Sequence, residues 1–303
     1  MPTSSGTVRV AAILTGTLVA LVVLGATASA GTAPPLFEPA PDTYPSDGVR
    51  VMFLGDSITG SPGCWRSLVW RDLTDAGLDL GMVGTLHTDE CGGLTNASGD
   101  TWDPDHAGFA GIRTSGVFVR IATEGLLQRT EPDVVAMLLG TNDFWSGANA
   151  DAVLSQYTAL LELMRRDNPD IVLVVGTVLP MSADQCSGCQ AQIDALNAQL
   201  DQWAADASTA QSPVSIAVLH QGFDVDLHTY DGVHPNEAGN ELIAQGWVPA
   251  LSEAVAYRDT AGGGGFHPVA QLALFIGLTG AIWLVLRNTR LRREQLEGEA
   301  PQR

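Results

Sequence analysis

Lysine is absent. All 15 basic residues of the 303-residue chain are arginine, set against 34 aspartates and glutamates for a net charge of −19. That balance argues against a nucleic-acid partner, because phosphate binding needs a clustered basic face. Cysteine is scarce, with four in the chain. Four are too few to build a disulfide-held miniature fold, so a hydrophobic core has to hold the protein together. No internal repeat occurs, and long apolar runs are confined to two places. Charge is also uneven. Residues 31–265 carry 9 Arg against 31 acids, a balance of −22, whereas Arg287, Arg290, Arg292 and Arg293 crowd into seven residues.

The two apolar runs read as targeting segments. Arg9, the apolar stretch 10–24 and then Ala28-Ser29-Ala30 follow the pattern of a secretory signal peptide over residues 1–30, cleaved near Ala30. An uncleaved signal anchor is the alternative. No cysteine follows the run, which excludes a lipoprotein anchor, and no Arg-Arg pair precedes it. The second run, 269–286, is 18 uncharged residues, at the short end of what spans a bilayer. A buried core helix competes with that reading. Against it stand the glycines at 262–265, Trp283 near one end and the arginine cluster that follows at once. Positive charge marks the cytoplasmic side. The expectation is a single-pass membrane protein with its folded domain outside. It has a Pro-rich linker at 31–48, a domain at 49–258, a Gly-rich linker at 259–268, a membrane helix at 269–286 and a basic cytoplasmic tail at 287–303.

Within the domain, short and nearly continuous apolar runs alternate with amphipathic stretches. The strand candidates are 49–54, 80–86, 133–139, 171–178 and 215–219, as strands buried on both faces require. Helices are expected at 63–76, 115–129, 150–167, 188–207 and 236–256. This alternation predicts a parallel sheet covered by helices on both sides. Between Leu86 and Thr114 lies a long stretch rich in Gly and Asp, without apolar periodicity. Loops of this length are uncommon in compact domains and are usually functional or disordered. This one leaves a strand end that would line the ligand crevice of such a sheet.

Three short motifs fall on that edge: Gly55-Asp56-Ser57, Gly140-Thr141-Asn142-Asp143, and Asp231-Gly232-Val233-His234. Each alone is ordinary; their joint placement is the signal. A serine hydroxyl needs a base within hydrogen-bond reach, and His234 is the natural one for Ser57. Asp231 is spaced to hold the imidazole tautomer. The backbone N–H of Ser57, the Asn142 amide and a glycine N–H would supply the donors that a developing oxyanion needs.

These three blocks, in this order, resemble the SGNH (GDSL-type) hydrolase superfamily over roughly residues 49–256. The resemblance implies a three-layer α/β/α, flavodoxin-like fold with a five-stranded parallel sheet. It also implies Ser57 as nucleophile, His234 as base and Asp231 as its partner, with Ser57, Gly111 and Asn142 as oxyanion donors. Gly111 stands in Gly108-Phe109-Ala110-Gly111, where the family has Ser in place of Ala110, and Gly108 is its rival. The stretch SITGSPGCWRSLVWRDL is similar to extracellular members of carbohydrate esterase family three. No cofactor and no metal are implied. An α/β-hydrolase elbow fits poorly, since residue 59 is Thr where that motif needs Gly.

Trp102 and Trp145, set among Gly, Asp and Ser, are candidates to stack on sugar rings. Core packing is the default for Trp65, Phe109 and Phe144. Asp224, Asp226, His228, Asp231 and His234 also suit a hard metal, but the hydrolase motif already accounts for the last two. No second close pair joins Cys186-x-x-Cys189 to make a four-cysteine zinc site, so disulfides are expected in an exported domain. Of three possible pairings, Cys64–Cys91 with Cys186–Cys189 is favoured, the first tying the nucleophile helix to the long loop. The expected function is a membrane-anchored serine esterase taking O-acetyl groups from a polysaccharide. A lipid or thioester hydrolase of lysophospholipase type, acting on another small ester, is the enzymatic alternative. An inactive glycan-binding surface domain is the non-enzymatic one. The oligomeric state stays open.

Overall fold

The computed structural model describes residues 48–60 and 62–262. The expected signal peptide at 1–30, most of the linker at 31–48, the membrane helix at 269–286 and the tail at 287–303 lie outside the described residues. Among the described residues no helix is long and apolar enough to cross a membrane.

The strands are β1 (Val49–Gly55), β2 (Leu80–Met82), β3 (Leu86–His87), β4 (Asp105–Gly108), β5 (Val134–Leu138), β6 (Val172–Gly176) and β7 (Val214–Ala217). The helices are α1 (Ser57–Gly60), α2 (Trp65–Asp75), α3 (Thr114–Glu124), α4 (Leu126–Thr130), α5 (Thr141–Trp145), α6 (Ala150–Asp167), α7 (Cys189–Ala207), α8 (Val225–His228) and α9 (Glu237–Gly262). Sheet order is β3-β4-β1-β5-β6-β7, with β2 also on β1. β2 and β4 share one edge of β1, β2 against Val49–Val51 and β4 against Leu54 and Gly55. All pairings are parallel except β3 with β4. Every residue of β5 and β6 is buried, as strands covered on both faces must be. α2 packs on α9, while α3, α6 and α7 pack in succession, so the layers are α/β/α.

The expected five strands were two short. β4 reads Asp-His-Ala-Gly, which has no apolar run to announce it, yet all four residues are buried. Hydrogen bonds satisfy its polar side chains instead: His87 Nδ1 and Asp105 Oδ1 are 2.9 Å apart, and the amide of Gly108 donates to His106 Nδ1 at 3.0 Å. The long segment 86–114 therefore carries the β3–β4 ribbon. The helix expected over 115–129 is broken by Gly125, left-handed at φ 65°, into α3 and α4. α9 runs on through Gly262, so the first residues of the expected 259–268 linker are helical.

An aromatic cluster beneath the nucleophile turn fixes where that turn sits. Trp65 stacks on Trp247 with centroids 5.7 Å apart, and Phe53 of β1 meets Trp65 edge-on at 5.0 Å. Trp65 then donates its indole N–H to the carbonyl of Ile58 at 2.9 Å, tying α1 to the core.

Candidate active site

Strand β1 ends at Gly55, and Asp56 leads into α1, whose first residue is Ser57. The amides of Thr59 and Gly60 both donate to the Asp56 carbonyl, winding the turn tightly. Only glycine fits at its far end. A Cβ on Gly60 would lie 2.3 Å from the Gly108 carbonyl oxygen, and one on Gly108 would lie 2.6 Å from the Gly60 nitrogen. Backbone therefore meets backbone where β4 backs the turn.

Ser57 Oγ lies 2.8 Å from His234 Nε2, across 177 residues of sequence. His234 Nδ1 lies 2.7 Å from Asp231 Oδ2, and Asp231 Oδ1 accepts the backbone N–H groups of Val233 and His234. Burial opposes ionisation of Asp231, but these N–H donors outweigh it and hold the carboxyl below the usual range. An ionised Asp231 accepts a hydrogen bond from Nδ1–H, which keeps the ring proton on Nδ1 and leaves Nε2 unprotonated and facing the serine hydroxyl. Tyr230 stacks on the imidazole with centroids 5.7 Å apart.

The three expected oxyanion donors sit on three segments. The Ser57 amide opens α1, and it has no hydrogen-bond acceptor among the described residues. Asn142, in α5, donates one Nδ2 hydrogen to Asp56 Oδ2 at 3.2 Å; the amide group has a second hydrogen to offer. Gly140, at φ 114°, turns the chain from β5 into α5. Gly111 lies in an exposed turn at φ 71°, and its N–H also lacks an acceptor among the described residues. Its rival Gly108 already donates its N–H to His106.

Trp102 does not face a ligand. It is 1% exposed, lies 5.4 Å under the Arg66 guanidinium and directs its indole N–H to Asp89. The expected sugar-stacking role of Trp102 is corrected accordingly: hydrogen bonding and cation–π contact offset burial that its polar neighbours in sequence did not foretell. Trp145 closes α5 at 44% exposure and remains open to a ligand. Cys64–Cys91 and Cys186–Cys189 are both disulfides, with Cα atoms 5.3 and 5.5 Å apart. Asp224 caps α8 and His228 Nδ1 accepts the Asp224 amide, so both already serve the loop ahead of Asp231. No group of three metal-ligating side chains converges among the described residues.

Several supporting residues had no role assigned from the sequence. Asp56 is fully buried. Burial pushes its carboxyl up to about 6, against the lowering effects of the Ile58 N–H, His234 and Thr141, while Asp143 raises it further. Asp143 accepts both the amide and the hydroxyl of Thr114, at 3.0 and 2.7 Å, clamping the start of α3 to α5. The segments bearing Gly111 and Asn142 are thereby held together. Arg66 is wholly buried and donates to the carbonyls of Thr59, Pro104 and Pro62. Burial lowers it to about 9, with Asp103 and Asp105 acting in the other direction, so it stays charged at neutral pH. Its signal was available: Arg66 follows Trp65 and precedes Val69 by three, which places it on the buried face of α2. A cation there needs partners.

Residues 53–242 match the GDSL-like Lipase/Acylhydrolase family. A carbohydrate esterase family 3 structure from Talaromyces cellulolyticus is 36% identical, with a TM-score of 0.59, covering 68% of this chain and 98% of that one. An acetyl esterase mutant, solved with acetate ion, is also 36% identical, with a TM-score of 0.60 and the same coverage. The family 3 carbohydrate esterase of Clostridium thermocellum is 25% identical at a TM-score of 0.56, again over 68% and 98%. A "Multidomain esterase" of Ruminococcus flavefaciens is 26% identical over 220 residues, 67% of this chain; the chain spans 28% of that protein's length. The chain belongs to the GDSL-like lipase/acylhydrolase family, serine hydrolases that act on esters, and family 3 carbohydrate esterases are among its relatives.

Proposed function

We propose that the protein is an extracytoplasmic, membrane-anchored esterase that removes O-acetyl groups from a polysaccharide. The observation that carries the reading is the relay from Asp231 through His234 to Ser57, at 2.7 and 2.8 Å. Ser57 Oγ attacks the acetyl carbonyl carbon while His234 Nε2 takes the hydroxyl proton. The carbonyl oxygen becomes an oxyanion, met by the Ser57 and Gly111 amides and by the Asn142 side chain. As the intermediate collapses, His234 returns the proton to the departing sugar oxygen, and the acetyl group stays on Ser57. A water, deprotonated by His234, then attacks the acetyl-serine, releasing acetate and restoring Ser57.

Acetyl as the acyl group is supported by relatives named as family 3 carbohydrate esterases and as an acetyl esterase with acetate. Export is supported by the two disulfides, which persist in oxidising compartments. Anchoring is supported by the uncharged run 269–286 and the arginines that follow it. A glycan binder without activity would have no use for a serine and a base in contact. The test measures acetate release from acetylated glycans beside short- and long-chain aryl esters. Acetyl substrates should be cleaved, and Ser57→Ala and His234→Ala should each abolish turnover with effects that do not add. Undiminished turnover in Ser57→Ala would falsify the mechanism, and faster cleavage of long acyl chains would favour a lipid substrate.

A further inference from the structure

A depression of about 370 Å³ lies beside the nucleophile turn, and part of its rim comes from the segments that carry Ser57 and Gly111. Gly60, which ends the helix begun by Ser57, lines it, and so does Ala110, the residue before Gly111. The remaining wall comes from the β3–β4 ribbon and α3. We propose that this depression binds a second sugar residue of the glycan, the unit next in the chain to the one being deacetylated. The proposal rests on the esterase reading above and adds where the substrate's chain continues.

The side chains suit an uncharged sugar. His87, half-exposed, is held through Nδ1 by Asp105 at 2.9 Å, which fixes the ring's orientation. Arg120 lies over the Phe109 ring at 3.9 Å and pairs with Glu124 at 2.9 Å through one of its nitrogens. Its other N–H groups remain to serve a ligand. Arg120, the arginine facing the depression, thus has its own carboxylate in Glu124, and His87 is paired with Asp105, so an anionic ligand meets no unpaired arginine there. Leu86, exposed beside them, offers an apolar surface for the C–H face of a ring.

Thr88 supplies a directed hydroxyl. His106 is buried and its imidazole is lowered to about 3, first by burial and then by the charges of Arg66 and His87, so the ring is neutral. Its Nδ1 accepts the Gly108 amide, which can only donate. The ring proton is therefore on Nε2 and is donated to Thr88 Oγ1, 2.9 Å away. That leaves the Thr88 hydroxyl proton for a further acceptor, and Thr88 lines the depression. Planar His and Arg groups, one hydroxyl and an apolar patch match a ring whose hydroxyls both donate and accept.

The experiment compares wild type with His87→Ala and Arg120→Ala on O-acetylated β-1,4-linked oligosaccharides of one to four sugars and on phenyl acetate. Wild type should show a lower KM for the longer substrates than for the acetylated monosaccharide. Each variant should raise KM for the longer substrates about tenfold with kcat unchanged, the mark of binding shared by ground and transition states. Rates on the monosaccharide and on phenyl acetate should stay within about twofold, which also reports that the variants are folded and their catalytic groups intact. An equal fall on all substrates, no change in KM with chain length in wild type, or variants whose KM for the longer substrates matches wild type, overturns the second-sugar site alone. Wild type that cleaves phenyl acetate but no acetylated glycan overturns the glycan reading, and this site with it.

Discussion

Asp56 and Asp231 are two carboxyls at one site whose environments push them in opposite directions. Asp56 accepts the Ile58 amide and the Asn142 side chain, but its complete burial dominates and raises it from 3.8 to about 6. Asp231 is more exposed and rich in donors, and it is lowered. Their effects on stability therefore have opposite signs. For Asp56 the native state holds its proton more tightly than the unfolded chain. The stabilisation is complete below pH 3.8 and is lost as pH rises through about 6. For Asp231 the stabilisation is present above the ordinary carboxylate range and is lost as pH falls through its lowered value. The shift at Asp56 corresponds to about 3 kcal/mol at most. Replacing it by Asn removes that titration. The stability of Asp56→Asn relative to wild type, from urea unfolding, should rise by up to this amount between pH 4 and pH 7. A difference that stays flat over that range would show that Asp56 does not titrate there. The sequence places Asp56 in the Gly55-Asp56-Ser57 motif, but its burial depends on β4, β5 and α5 closing around it.

At the scale of elements, those with strong apolar periodicity and clear end signals were legible. α6 occupies residues 150–167 as expected, because Asn149 caps it by accepting the Ala152 amide and Asn168-Pro169 ends it. β4 was not legible, since its buried side chains are polar and are satisfied by neighbours on other segments. The ribbon β3–β4 is tied to the start of α2 by Cys64–Cys91, which spans 27 residues, whereas Cys186–Cys189 spans three. Chain-entropy arguments give about 3–4 kcal/mol for the longer loop and about 2 kcal/mol for the shorter. Removing the first pair by serine substitution should therefore lower stability in urea more than removing the second. It should also lower activity, because the β3–β4 segment backs the turn that carries Ser57. Equal losses, or activity untouched by loss of Cys64–Cys91, would remove that disulfide from any part in holding the site.

For the whole molecule, the uneven charge bears on the proposed topology. Residues 31–265 carry −22, and four arginines follow the apolar run 269–286. Arginine costs about 2.5–3.5 kcal/mol at a bilayer centre on insertion scales, so the cluster should remain on the cytoplasmic side. Protease added to intact cells without an outer barrier should digest the esterase domain and leave a small basic fragment protected. A protected Ser57 with a digested arginine cluster would reverse the orientation and remove the extracellular substrate. What the sequence determined by itself is what local pattern can encode. It sets the alternation of apolar strands with amphipathic helices, the order of the three motif blocks and the even number of cysteines. Tertiary structure alone decided that Ser57 and His234 meet across 177 residues, that Trp102 turns inward beneath Arg66, and that the Asp-His-Ala-Gly stretch is a buried strand. The physical reason is common to all three. Apolar periodicity is a property of neighbouring residues, whereas burying a polar group depends on whether distant segments bring it a partner.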